Sequence, residues 1–141
     1  MATVSFTDGN TGIPAKGLDR AYVVKKRINF ATTTATAADV IQCITIKAGT
    51  HVLNAGSKII TAEGGVATTQ LGFGGDPNGF RNAIDLNAAV GTIEIGVGGT
   101  DAYVTAGGTL ITTADTLDLT LGHNMDACVV DIFAICIDLN S

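Results

Sequence analysis

The chain has 141 residues, the length of one domain, and a domain of this size buries enough apolar surface to fold without metal or disulfide staples. Only 15% of its residues are charged and the formal net charge is −5, which argues against general nucleic-acid binding because that function needs a basic face. Low charge and a mean hydropathy of +0.38 also indicate that part of the surface packs against partners.

The composition predicts an all-β protein. Glycine accounts for 18 residues, and it favours turns over helices, while the many threonines are β-branched and favour strands. No apolar stretch approaches the ~20 residues of a membrane span, and the N-terminal MATVSFTDG lacks a signal-peptide pattern. Three cysteines, an odd number, fit reduced thiols in a cytosol-like compartment. We therefore expect no membrane partner.

Residues 1–19 contain three glycines and one proline without sustained periodicity, so we predict an extended N-terminal arm. Residues 20–141 contain short apolar runs separated by Gly, Asn and Asp, and we predict one antiparallel β-sandwich domain there. The predicted strands are 20–30, 39–46, 50–54, 58–63, 66–73, 89–95, 109–113, 115–121 and 127–139. Long loops are predicted at 74–82 and 96–108, where contacts to partners tend to lie.

Three consecutive cations, Lys25, Lys26 and Arg27, lie in the first predicted strand. They either meet an acidic protein partner or form a solvated strand end, and charge runs usually face water. The distribution of charge in this strand therefore leaves both interpretations open.

The strands at 115–121 and 127–139 show how their faces are used. The first alternates leucine with polar residues, which predicts one buried and one solvated face. The second has two apolar faces, although an antiparallel sandwich strand needs only one. We therefore expect its second face to lie in a subunit interface or beneath another element. The two faces carry Cys128, Val130, Ile132, Ala134 and Cys136, and Val129, Asp131, Phe133, Ile135 and Ile137.

No group of residues is typical of an active site. None of the three serines lies in a G-x-S-x-G elbow. His51 and His123 do not begin an H-E-x-x-H, so we expect both to be surface or packing residues. Cys43 is a possible partner of His51, but the apolar run around Cys43 predicts a buried, inert thiol. We predict no catalytic residues and no enzyme.

Metal and cofactor motifs are also absent. The C-x₂₋₄-C spacing typical of zinc is missing. Asp76 with Asn78, and Asp8 with Asn10, place oxygens at alternate positions but lack the closing Glu of an EF-hand. The run D-P-N-G instead predicts a β-turn. GFGGDP and GVGGTD do not complete a phosphate-binding G-x-G-x-x-G. We predict no cofactor and no metal residues, with calcium in one of the two Asp-containing segments as the alternative.

A succession of phrases carries a family resemblance. IKAGTHVLNAGSKIITAEGG is followed by LGFGGDPNGF, DLNAAVGT, GTDAYVTAGGTLITTADTLDLTL and VVDIFAICIDL. This text resembles the small virion proteins of tailed bacteriophages, in particular capsid decoration (cement) proteins, over about residues 20–139. The resemblance implies a jelly-roll-like sandwich, commonly a homotrimer, on the outer capsid where hexamers of the major capsid protein meet. It also implies an N-terminal arm that reaches the capsid protein or a neighbouring cement subunit, and assembly in the host cytoplasm.

The leading hypothesis is therefore a cement protein that stabilises a phage shell. A head fibre, neck or tail-tip protein is the first alternative, although a receptor binder should show clustered exposed aromatics in its loops. A cellular β-barrel that binds a ligand, or a small enzyme, is the second alternative. The absence of tryptophan and of paired catalytic groups counts against it.

Overall fold

The structure is a computed structural model that describes residues 21–139. The arm predicted at 1–19 lies outside the described residues. The elements are β1 (Tyr22–Asn29), β2 (Val40–Ile46), β3 (Thr50–Thr61), β4 (Thr68–Phe73), β5 (Asp76–Asp85), β6 (Ile93–Ile95), α1 (Ala102–Thr105), β7 (Thr109–Leu110), β8 (Asp115–Leu121) and β9 (Val129–Asp138). No helix between residues 21 and 139 is long and apolar enough to cross a membrane.

The strands form two antiparallel sheets. One has the order β1-β9-β3-β6, with β7 also paired to β3, and the other has the order β2-β8-β4-β5. The sheets pack face to face in the all-β, antiparallel sandwich that the sequence predicts. Alternate residues of each strand point into the space between them. The largest fully buried side chains are Phe30, Val52, Ile59, Leu71, Phe80, Ile84, Leu86, Leu117, Leu119, Met125, Val130 and Ile132.

Two predicted strands, 50–54 and 58–63, are one continuous strand, β3. The small residues between them gave no apolar signal, yet they pair with both β9 and β6. Gly56 is required for close packing there, because an added Cβ would collide with the carbonyl oxygen of Glu94 and lie 3.0 Å from the ring of Phe133. Glycine thus serves here as a contact point inside a strand.

The loop predicted at 74–82 is wrong, because β5 begins at Asp76. Phe73 pairs with Asp76, so the turn is Gly74–Gly75, and the D-P-N-G run is strand instead of turn. β5 is the last strand of its sheet, and an edge strand tolerates Pro77. The prediction failed because these residues also have a strong turn propensity.

The loop predicted at 96–108 contains the short helix α1 and is held by Asp101. This carboxylate is buried and accepts hydrogen bonds from the backbone N–H groups of Val97 (2.7 Å) and Asn82 (3.3 Å). Tyr103 of α1 packs on Phe80 with ring centroids 5.0 Å apart. The segment is therefore part of the packed sandwich. The strands predicted at 89–95 and 109–113 shrink to β6 and β7.

The face of β8 that the sequence predicts to be solvated is only partly exposed to solvent. Its leucines are buried as predicted, but Asp118 is also buried, because β8 lies between β2 and β4. The hydroxyl of Thr116 donates to the Asp118 carboxylate at 2.7 Å. Burial raises the pKa of Asp118, and this hydrogen bond opposes the shift.

A carboxylate fixes the connection between β8 and β9. Glu63 accepts hydrogen bonds from the backbone N–H groups of Asp126 (2.7 Å), Ala127 (3.1 Å) and Cys128 (2.7 Å). Burial raises the pKa of Glu63, but these donors outweigh burial and hold the pKa below its ordinary value. The ionised Glu63 thus ties the end of β3 to the start of β9.

Candidate interaction surface

The central strand of the larger sheet, β9, has two apolar faces, as predicted. It pairs with β1 on one side and β3 on the other, so both of its edges are occupied. Its inward residues, from Cys128 to Cys136, are completely buried in the core. The outward side chains of Phe133, Ile135 and Ile137 are only half-buried, so solvent reaches them.

The registers of the neighbouring strands extend this apolar surface. Val23 of β1 lies opposite Ile135, and Leu110 of β7 lies opposite His51, which itself pairs with Ile137. Ile95 of β6 lies opposite Gly56. We call the outward side of this sheet the outer face. Its outward residues are Val23, Lys25, Arg27 and Asn29 of β1, Val129, Asp131, Phe133, Ile135 and Ile137 of β9, His51, Asn54, Gly56, Lys58 and Thr61 of β3, Ile93 and Ile95 of β6, and Leu110 of β7.

The margins of the outer face are its most exposed apolar part. Val23 is 62% exposed, Ile93 is 60% exposed and Leu110 is 48% exposed. A monomeric protein rarely leaves a contiguous apolar area open to water. The outer face therefore has the character of a protein-binding surface.

One glycine shapes the centre of this surface. Phe133 pairs with Gly56, and its ring lies over the glycine, where a Cβ would be 3.0 Å from the ring edge. An aromatic residue that covers a cross-strand glycine shields the exposed backbone and packs flat on the sheet. The Phe133 ring therefore covers the strand backbone at the centre of the outer face.

A buried carboxylate forms the charged corner of the outer face. Asp131 is 4% exposed and accepts two hydrogen bonds from Arg27, from Nε at 2.8 Å and from Nη2 at 3.0 Å. Lys25 Nζ lies 3.9 Å from the same carboxylate, and Lys58 pairs with Asp131 across the sheet. The Arg27 hydrogen bond holds the pKa of Asp131 below its usual range, although burial opposes it, and the charges of Arg27, Lys25 and Lys58 act in the same direction. The corner therefore carries an ion pair with an excess of positive charge.

The structure divides the cluster Lys25, Lys26 and Arg27. Alternation along β1 places Lys25 and Arg27 on the outer face, whereas Lys26 lies opposite the inward-facing Ile132. Arg27 is bound to Asp131 of its own chain. The three cations are thus not one free basic patch of the kind that binds an acidic partner.

The cysteine and histidine considered as a pair are engaged elsewhere. Cys43 is buried, and its thiol donates to the carbonyl oxygen of Ile41 at 3.3 Å. Burial raises the pKa of Cys43 to about 12, so the predicted burial is confirmed and the reactive thiolate form is disfavoured. His51 Nε2 donates to the carbonyl oxygen of Gly107 at 2.9 Å. His123 Nδ1 accepts from the backbone N–H of Thr68 at 3.3 Å.

Metal-binding groups do not come together in the part of the chain that the structure describes. No three His, Cys, Asp or Glu side chains there are close enough to hold a metal ion. Asp76 and Asn78, the calcium alternative, lie in β5, where Asn78 Nδ2 donates to Asn82 Oδ1 at 3.0 Å. Asp8 and Asn10 lie outside the described residues.

The outer face contains residues that the sequence did not identify. Val23, Ile93, Ile95 and Leu110 come from three separate strands, and each looks like an ordinary strand residue in isolation. Only strand pairing brings them to the outer face, where Val23 lies beside β9 and the other three lie beside β3. The one signal available in the sequence was the second apolar face of β9, and it located the centre of the surface.

Comparison with solved structures shows which known proteins share the fold of this chain. No family model and no curated protein matches the chain. A chain of the cyanophage Pam1 capsid asymmetric unit matches with a TM-score of 0.62 and 16% identity, over 96% of this chain and 98% of that one. A chain of the Ralstonia phage GP4 capsid matches with a TM-score of 0.62 and 12% identity, over 93% and 92%. A chain in the acidic stable capsid structure of Helicobacter pylori bacteriophage KHP30 matches with a TM-score of 0.58 and 11% identity, over 82% and 86%. The three share the fold over most of their length.

Proposed function

We propose that the chain is a structural protein of a bacteriophage virion, a decoration (cement) protein that binds the outer surface of the head and stabilises the shell. The similarity to chains of three phage capsids supports this role, because it spans nearly the whole of each chain. The shared fold covers 86%, 98% and 92% of those three chains. The major capsid protein is the partner, the virion surface is the location, and assembly takes place in the host cytoplasm.

The observation that carries the proposal is the outer face. The chain has a low content of charged residues and a solvent-exposed apolar sheet face. These features are unfavourable for a free monomer in water but are typical of a permanent assembly. The centre of the outer face carries the half-buried side chains of Phe133, Ile135 and Ile137. We assign this face to contacts between copies of this chain in a homotrimer.

A single substitution at the margin of the outer face tests this assignment. Val23→Asp adds a charge to a side chain that is 62% exposed, so the fold of one copy should tolerate it. Light scattering should give three times 14.3 kDa for the unchanged protein and 14.3 kDa for the variant. Val66→Asp is the matched control, since Val66 is 72% exposed and lies outside the outer face.

Capsid binding is measured separately. Purified protein added to shells of the phage that encodes it should sediment with them in a fixed ratio to the major capsid protein. It should also raise the temperature at which the shells release DNA. Protein that sediments only with tails or necks would support the alternative virion component and refute the cement assignment.

A further inference from the structure

The two sheets leave a gap along one side of the sandwich. Each sheet ends there in an edge strand, β1 in one sheet and β2 in the other. Within residues 21–139, β1 pairs only with β9 and β2 pairs only with β8. Both strands therefore have one edge that is unpaired within the described residues. Residues of both strands line each of two cavities along these edges, which together we call the groove.

The groove is lined by apolar side chains that belong to the core. Its wider part has a volume of about 550 Å³, and Ile28, Ala35 and Ile41 there are only half-buried against the core. Its narrower part, about 250 Å³, lies at the other end of β1 beside Tyr22 and Val24. The groove is thus lined by side chains that pack against the core but remain partly open within the described residues.

The edges of the two strands differ in protection. β1 carries Lys25, Lys26 and Arg27, and charges of this kind discourage the addition of another strand. β2, with the sequence VIQCITI, carries no charge. A bulge at Cys43 interrupts its ladder with β8 and protects that part of the edge. The uncharged residues on either side of the bulge remain open to strand addition.

The residues that precede β1 contain a matching segment. Residues 2–7 alternate strictly between apolar and hydroxyl side chains, a pattern that predicts a strand with one buried face. The two faces carry Ala2, Val4 and Phe6, and Thr3, Ser5 and Thr7. We propose that residues 2–7 of the same chain add to the free edge of β2 and place Val4 and Phe6 in the groove.

The reach of the chain favours its own segment as the occupant. Residues 8–20 join the segment to β1 and span up to ~43 Å when extended. The eight residues of β1 cover only ~26 Å. Since the chain enters the sandwich at Tyr22, which lines the narrower part of the groove, this linker reaches any point along it. A short tether also gives an effective concentration of the order of mM, which favours this segment over one on a separate molecule in solution.

Hydrogen exchange on the full-length protein tests the proposal, and no capsid is required. Val4→Asp combined with Phe6→Asp should increase, by roughly tenfold, the exchange rate of the β2 amides that do not bond to β8. Thr3→Asp combined with Ser5→Asp adds the same charge to the solvent side and should leave those rates unchanged. Equal rates in both variants and the unchanged protein would overturn the proposal. Circular dichroism of each variant checks that the sandwich is intact.

Cross-linking identifies which chain supplies the segment. A photoreactive phenylalanine analogue at position 6 should cross-link to residues 28–41, which line the wider part of the groove. In a 1:1 mixture of ¹⁵N-labelled and unlabelled protein, refolded together, each cross-linked peptide pair should carry one label only. Mixed-label pairs would show that a neighbouring copy fills the groove, and cross-links elsewhere would show that the segment binds another surface. Either result overturns the proposal.

Discussion

Gly56→Ala tests whether β3, β6 and β9 approach one another as closely as the structure shows. The new methyl group would collide with the carbonyl oxygen of Glu94 and lie 3.0 Å from the Phe133 ring. The ring can turn, but the carbonyl belongs to the backbone of β6, so β6 must move. Overpacking of this kind costs about 1–3 kcal/mol.

The size of the expected change in Tm follows from the length of the chain. A domain of 141 residues has an unfolding entropy of about 0.3 kcal/mol/K, so each kcal/mol shifts Tm by about 3 °C. Gly56→Ala should therefore lower Tm by about 3–10 °C, measured by calorimetry at a fixed protein concentration. Gly65→Ala is the control, because a Cβ there meets nothing within 4 Å. It should leave Tm unchanged or raise it slightly.

The comparison of the two glycine variants can contradict the structure. If Gly56→Ala and Gly65→Ala have the same Tm, then β6 does not pack against Gly56 as closely as the structure shows. Light scattering of both variants separates a loss of fold from a loss of assembly.

Three further predictions concern the core and its ionisable groups. The ordinary glutamate pKa is 4.5 and that of Glu63 is lowered, so its contribution to stability is present above pH 4.5 and is lost as the pH falls through the lower folded-state value. Tm should fall as the pH drops below about 4.5, the fall should be smaller in Glu63→Gln, and equal falls would contradict the role of this carboxylate. Burial raises the pKa of Cys43 and Cys128 to about 12 and that of Cys136 to about 11, so a thiol reagent at pH 8 should react with none of them until denaturant is added. Rapid labelling of the native protein would show that the core is more open. Leu119→Ala should lower the free energy of unfolding by about 3 kcal/mol in a urea titration, because Leu119 is completely buried between the sheets, and a loss below 1 kcal/mol would place it elsewhere.

The sequence predicts most strands of this fold because their apolar patterns are local. β8 and β9 are found almost residue for residue, since alternation and a long apolar run both survive in the single sequence. The sequence does not predict β5, because its glycine, proline and asparagine residues favour a turn. In the fold, Gly79 packs directly against the ring of Tyr103, where a Cβ would collide with it. Local propensity cannot register a contact made by a residue that is distant in sequence.

The outer face illustrates the same limit for a functional surface. The second apolar face of β9 predicts that something binds there, but not which residues surround it. Arg27 and Asp131 are 104 positions apart, and only the β1–β9 register brings the guanidinium to the carboxylate. Alternation in a single sequence shows which residues share a face of a strand. It does not show how two distant strands are aligned with each other.

Strand β1 connects the two proposed surfaces, and its alternation separates their tests. Val23 points to the outer face and Val24 to the groove, although the two residues are adjacent. The Val23→Asp variant should dissociate into single copies without any change in the hydrogen-exchange rates of the β2 amides. Loss of Val4 and Phe6 from the groove should do the reverse, because no outward residue of the sheet is altered. If both changes dissociate the copies and also expose β2, then the groove and the outer face belong to one continuous interface, and the segment 2–7 would have to be assigned to a neighbouring copy.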